Sequence, residues 1–113
     1  MSSSGEVIAI ESEDHFNDVL HKNQFVLVEF RADWCGPCRM MAQVVEQAAE
    51  FFKDDVVIVK VDCDTFSNLA QTYNVISIPT VIAFSGGQVV GRRGGCLPSE
   101  TFKSFINEII GKK

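Results

Sequence analysis

The hydrophobic and polar positions change rhythm several times along the chain, and each rhythm predicts a different element. Val7 to Ile10 is a short apolar run of strand type. Ser12 can cap a helix over 13–21, because its hydroxyl can accept a first-turn N–H and because Phe16, Val19 and Leu20 recur at helical spacing. Phe25 to Phe30 is almost continuously apolar, the pattern of a strand covered on both faces. A long helix is expected from about Cys35 to Phe52, a second buried strand over Val56 to Val61, and a short helix over Ser67 to Tyr73. Thr80 to Phe84 and Gln88 to Arg92 flank Ser85-Gly86-Gly87, which is a hairpin signal. Pro98 suits the first position of a last helix, with Phe102, Phe105, Ile106, Ile109 and Ile110 on one face. The order βαβαβαββα predicts an α/β fold, a mixed sheet of about five strands between two layers that hold about four helices. Right-handed crossovers would join its parallel strands.

Composition narrows the field without changing that picture. The 113 residues contain no internal repeat and no low-complexity linker, so one domain over 1–113 is expected, with residues 1–5 as a flexible tail. Hydrophobic residues at 46% and charged residues at 22% exclude a disordered or fibrous chain, and nine Phe supply bulk for one core. A net charge of −5 repels phosphate backbones and argues against a nucleic-acid partner. No run approaches the ~20 apolar residues that span a bilayer, so no membrane partner is expected. The N-terminus is polar and lacks a basic start, so a cytoplasmic location is expected. In a reducing compartment the four cysteines are not expected to form structural disulfides.

The chemistry concentrates in Trp34-Cys35-Gly36-Pro37-Cys38. Two cysteines three positions apart at a helix start share a face and can approach each other. The helix N-terminus carries free N–H groups and partial positive charge, which favour a thiolate at Cys35, the attacking species in disulfide exchange. Cys38, one turn further in, should be less exposed and is the natural resolving thiol. Pro37 loses no N–H in a first turn, and Gly36 lets a partner chain approach. The alternative is half of a zinc site. That needs four ligands, and Cys63, Cys96, His15 and His21 form no second pair, so no metal is expected.

Val26-Leu27-Val28-Glu29-Phe30 leading into that motif, followed by Ile78-Pro79-Thr80, an apolar strand and Gly86-Gly87, resembles the thioredoxin family over about residues 6 to 110. The resemblance implies the thioredoxin fold and a protein-disulfide reductase that works through a redox-active Cys35–Cys38 disulfide and binds no cofactor. It implies an NADPH-dependent thioredoxin reductase as electron donor, and disulfide-containing protein substrates of the peroxiredoxin or ribonucleotide reductase type. Glu29 stands where the family usually has Asp, six residues before the first cysteine, and the implied role is proton exchange with Cys38. Lys60 matches the usual buried ammonium partner. On the residues alone, a carboxylate in an apolar strand is costly unless paired or protonated, and both charges could instead face water at strand edges.

By resemblance, the Ile78–Pro79 bond is cis and faces the dithiol, leaving the Ile78 backbone free to pair with an extended substrate; on the sequence alone a trans proline at a strand start is the default. Trp34 reads as a surface platform whose indole N–H needs a partner, and Asp64 is the family-matched candidate. Gly95 matches a glycine lining the substrate groove, with Gly94 and Cys96 beside it. Further departures stand out. Arg31 replaces an uncharged residue, Gln43 replaces a proline that kinks the long helix, and Cys63 and Cys96 lie outside the motif. Cys63 reads as a small buried hydrophobe. Cys96, on the groove rim, is the better regulatory thiol and could join two otherwise monomeric copies under oxidation. A disulfide oxidase or isomerase on the same fold, a glutaredoxin, and a non-catalytic groove-binding partner are the competing functions. Gly-Pro between the cysteines, rather than Gly-His or Pro-Tyr, disfavours the first two.

Overall fold

Among the described residues, nine elements follow one another in the predicted order. They are β1 (Ile8–Ala9), α1 (Glu13–Lys22), β2 (Phe25–Arg31), α2 (Gly36–Phe51), β3 (Val57–Asp62), α3 (Ser67–Thr72), β4 (Thr80–Ser85), β5 (Gln88–Gly94) and α4 (Ser99–Ile110). The structure is a computed structural model that describes residues 4–111, so residues 1–3 of the expected tail lie outside the described residues.

The sheet runs β1-β3-β2-β4-β5. β1 and β2 are parallel to β3, whereas β4 is antiparallel to both β2 and β5. β2, at the centre, and β4 beside it are buried on both faces, as their almost continuously apolar runs predict, with Glu29 and Thr80 as the buried polar side chains among them. Side chains alternate across the pleat, so each strand feeds two cores. Val26, Val28 and Phe30 of β2 join Phe16, Val19 and Leu20 of α1 and Leu69 and Ala70 of α3 on one face. Leu27 joins Met41, Val45 and Ala48 of α2 and Phe102, Phe105 and Ile106 of α4 on the other. Glu29 and Arg31 have the parity of Leu27 and so belong to the α2 side.

Local chemistry sets the ends. The Ser12 hydroxyl accepts the His15 N–H at 2.9 Å and starts α1. Gly86 and Gly87, at φ 58° and 81°, supply the two positive dihedrals that a tight hairpin between β4 and β5 needs. Pro98 is the N-cap residue of α4, at φ −62° and ψ 156°, rather than its first helical residue. β1 is shorter than the expected Val7–Ile10 run, although the Ile10 N–H continues the pairing to the Lys60 carbonyl at 3.0 Å. β5 runs two residues past Arg92.

One row of the sheet positions the site. Phe30 pairs with Val61 on one side and Thr80 on the other, and Thr80 pairs with Gly94. The segments just beyond that row, 32–35, 62–64, 78–79 and 95–96, therefore meet at one end of the sheet.

Candidate active site

Cys35 is the N-cap residue of α2, and its Sγ accepts the Cys38 N–H at 3.2 Å. Sulfur thus takes the place that a serine or aspartate oxygen takes at other helix starts. The same N–H and the helix dipole would stabilise negative charge on that sulfur in the reduced protein. Cys35 and Cys38 form a disulfide, with Cα atoms 5.2 Å apart. Cys38 is fully buried. Cys35, expected to be the exposed member, is only 3% exposed, because Ile78 packs against the pair together with Ala32. The Ile78 carbonyl oxygen lies 3.8 Å from the Cys35 sulfur.

The Ile78–Pro79 peptide is cis, as the resemblance implied. Pro79 is held from behind, where its carbonyl accepts the Gly95 N–H at 2.8 Å. Gly95 needs its own lack of a side chain, since its φ of 87° is strained for any other residue. Gly36 is equally open, with no atom within 4 Å of the position a Cβ would take. Trp34 is 67% exposed, and its indole N–H donates to Asp64 Oδ2 at 2.9 Å. Asp64 is in turn fixed by a bond from its own N–H to Asp62 Oδ1, at 2.8 Å. These contacts bring Trp34, Cys35, Cys38, Ile78, Pro79, Gly95 and Asp64 to one end of the sheet. Cys96 follows Gly95 and is exposed. Pro37 is exposed beside the motif.

Glu29 is 3% exposed, with Oε2 buried and without a hydrogen-bond partner. Burial pushes its carboxyl up to about 7, against the pull of Arg31 and then Lys60. It shares the α2 side of the sheet with the buried face of the helix that carries Cys38. Lys60 corrects an expectation. It pairs with Glu29 in register but is exposed rather than buried, because a lysine on a sheet face can run its stem outward and keep its ammonium in water. Arg31 is the nearer cation in effect. Its side chain is 15% exposed and binds Asp33 at 3.0 Å, while Arg39 donates to the Asp33 carbonyl at 2.8 Å. Gln43 is exposed within an α2 that runs unbroken.

Sequence reasoning missed one feature of the site. Trp34, Cys63, Ala70, Val75, Ile76 and Ile78 line an apolar pocket of about 380 Å³ next to the motif. Ile76 is 96% exposed. The signal was present as an apolar Val75-Ile76 step that belongs to no predicted element. Cys63 is half-buried there, and burial, then the neighbouring Asp62 and Asp64, hold its thiol above the usual range.

A cysteine pair at a helix start, faced by a cis proline at the end of a mixed sheet, defines a dithiol–disulfide oxidoreductase. The thioredoxin family profile matches residues 6–108. A thioredoxin of Chlorobaculum thiosulfatiphilum is 35% identical over 108 residues, covering 96% of this chain and 100% of that protein. A bifunctional thioredoxin reductase/thioredoxin of Mycobacterium leprae is 43% identical over 108 residues, of which this chain spans only 24% of the length. The solved structure of a variant thioredoxin from Halobacterium salinarum superposes with a TM-score of 0.89 at 34% identity, covering 97% of this chain and 96% of that one. The chain belongs to the thioredoxin family and is a protein-disulfide oxidoreductase. The family works through its cysteine pair without a bound cofactor, with thioredoxin reductase and disulfide substrates as partners. Among the described residues, no helix is long and apolar enough to cross a membrane.

Proposed function

We propose that Cys35 is the nucleophile and Cys38 the resolving thiol. The Cys35 thiolate attacks one sulfur of a partner disulfide, and the other partner sulfur leaves as thiolate. Cys38 then attacks Cys35 Sγ, the second partner thiolate departs, and the Cys35–Cys38 disulfide remains. Glu29, as carboxylate, accepts the Cys38 proton. A carboxyl balanced near pH 7 is suited to both accepting and returning it. Lys60 and Arg31 act on Glu29 through space. The observation that carries the reading is the Cys38 N–H aimed at the Cys35 sulfur.

Trp34, Gly36, Pro37, Ile78, Pro79, Gly95 and Cys96 would form the groove for an extended substrate segment, whose backbone pairs with Ile78. Asp64 holds Trp34 in place. Peroxiredoxin- or ribonucleotide reductase-type proteins fit as substrates. The bifunctional relative, which names a reductase in the same chain, supports an NADPH-dependent thioredoxin reductase as donor. We place the protein in the cytoplasm as one domain and a monomer when reduced.

The test is insulin-disulfide reduction with NADPH and thioredoxin reductase, run beside glutathione with its reductase. Turnover should require the former system and vanish in Cys35→Ser. Cys38→Ser should accumulate mixed disulfides through Cys35. Mixed disulfides on Cys38 of the Cys35→Ser protein at equal rates would overturn the assignment.

A further inference from the structure

Val75 to Pro79 carries the groove wall that faces Cys35. Val75 packs against the core beneath α1 and α3, Ile78 packs against the cysteine pair and Pro79 is buried, but the middle of the segment has little packing. Ile76 is 96% exposed, and Ser77 is exposed too. Asn74, where the segment begins, sits at φ 55°, in the left-handed region that few side chains favour. Hydrogen bonds add to that packing: the Val75 N–H donates to the Ala70 carbonyl at 2.9 Å, and the Thr80 hydroxyl donates to the Ser77 carbonyl at 2.6 Å. At the far end the Pro79 carbonyl accepts the Gly95 N–H. At the near end the Arg92 guanidinium reaches across from β5, donating from Nη1 to the Asn74 carbonyl at 3.2 Å and from Nη2 to the Tyr73 carbonyl. Arg92 pairs with Ile82 and so stands on the α1 and α3 side of the sheet, where Tyr73 packs.

We propose that Arg92 is a positioning residue for substrate docking: it fixes the start of the 75–79 segment and so the place of Ile78 opposite Cys35. Carbonyls just past a helix end have lost their intrahelical donors, and Tyr73 and Asn74 follow the last turn of α3. A planar fork with several donors and a fixed charge can serve two such carbonyls at once. Arg92 and Gly95 lie three residues apart, so one short stretch of β5 and its extension grips the segment at both ends. Arg93 shows the contrast. It points to the opposite side, with its guanidinium 4.6 Å from the Phe105 ring centroid and 3.7 Å from Glu108, and it serves α4 instead. The proposal rests on the reading of Ile78, Pro79 and Gly95 as substrate groove.

The experiment compares Arg92→Ala, Arg92→Lys and Arg93→Ala in steady-state reduction of insulin, with the reducing system in excess. Arg92→Ala should raise KM about fivefold with kcat within about twofold, the size expected when preorganisation worth one or two hydrogen bonds is lost. Arg92→Lys should recover part of that loss. Arg93→Ala should leave KM unchanged although it removes the same charge from the same strand. Reduction of a small aromatic disulfide, which has no backbone to pair with Ile78, and the midpoint potential of the cysteine pair should not follow the KM change. An unchanged KM in Arg92→Ala overturns the proposal. So does an equal loss in Arg93→Ala or with the small disulfide. Should Arg92→Ala not fold, Arg92→Lys reads the same split, and an unaltered KM there overturns it. Cys96→Glu places a charge on the groove rim. If it raises KM while Arg92→Ala does not, only the Arg92 assignment fails. If it too leaves KM unchanged, the groove reading fails.

Discussion

Glu29 is a buried acid whose neighbours do not neutralise it. Its folded pKa of about 7 stands above the ordinary 4.5, so burial disfavours the carboxylate more than Arg31 and Lys60 favour it. The folded state therefore binds more protons at this site than the unfolded chain between those two values, and stability falls as pH rises through that window. The contribution is fully present below about pH 4.5 and lost above about pH 7, and is worth about 3 kcal/mol by linkage. Glu29→Gln removes the dependence. Urea melts at pH 5 and pH 8 should show the variant gaining stability relative to the parent at the higher pH. Mixed-disulfide resolution should slow in the same variant. An equal stability difference at both pH values would mean that Glu29 titrates normally, and unchanged turnover from pH 6 to 8 would remove it from the mechanism. The acid's burial was legible from its place inside an apolar run. The exposure of Lys60 was one of two open readings, since a strand pattern gives the face of a residue and not the reach of its stem.

At the scale of elements, sequence periodicity located all nine within about two residues at each end. The reason is that the strands near the centre of the sheet are mostly apolar, the hairpin glycines are explicit, and Ser12 marks its helix. The contacts between elements were far less legible. Nothing in Gly91 announces that it lies against α4, yet a Cβ there would meet Phe105 Cε1 at 3.1 Å and Ile109 Cδ1 at 3.2 Å. Phe105 is 3% exposed and has Arg93 over its ring, so it has little room to retreat. Gly91→Ala should gain some strand propensity but lose more to overpacking, a net cost of about 1 kcal/mol. A thermal melt should show it as a drop in Tm of several degrees, and Gly91→Val should lose more. An Ala variant at least as stable as the parent would mean that α4 shifts without penalty. Arg92 was illegible for the same reason: register alone decides that its stem lies beside Ile82 and can reach the end of α3.

For the whole molecule, the two spare thiols have different prospects. Cys63 is half-buried with a raised pKa, and the neighbouring Asp62 and Asp64 oppose a thiolate there. Cys96 is exposed and follows Gly95 on the groove rim. Two copies joined Cys96 to Cys96 would bring their grooves together and obstruct each other's substrates. Peroxide can drive the step by accepting the two electrons released as two thiols form the bond. Each copy carries a net charge of −5, so the copies repel at low salt. Screening shortens the reach of that repulsion to about 8 Å at physiological ionic strength and less at higher salt. Dimer formation under peroxide should therefore accelerate with added salt. Non-reducing gels and intact mass should find the dimer in the parent and in Cys63→Ser, and not in Cys96→Ser. The isolated dimer should reduce insulin more slowly until a reductant splits it. A Cys96→Ser protein that dimerises to the same extent would transfer the role to Cys63, and a rate indifferent to salt would mean that net charge does not govern the encounter.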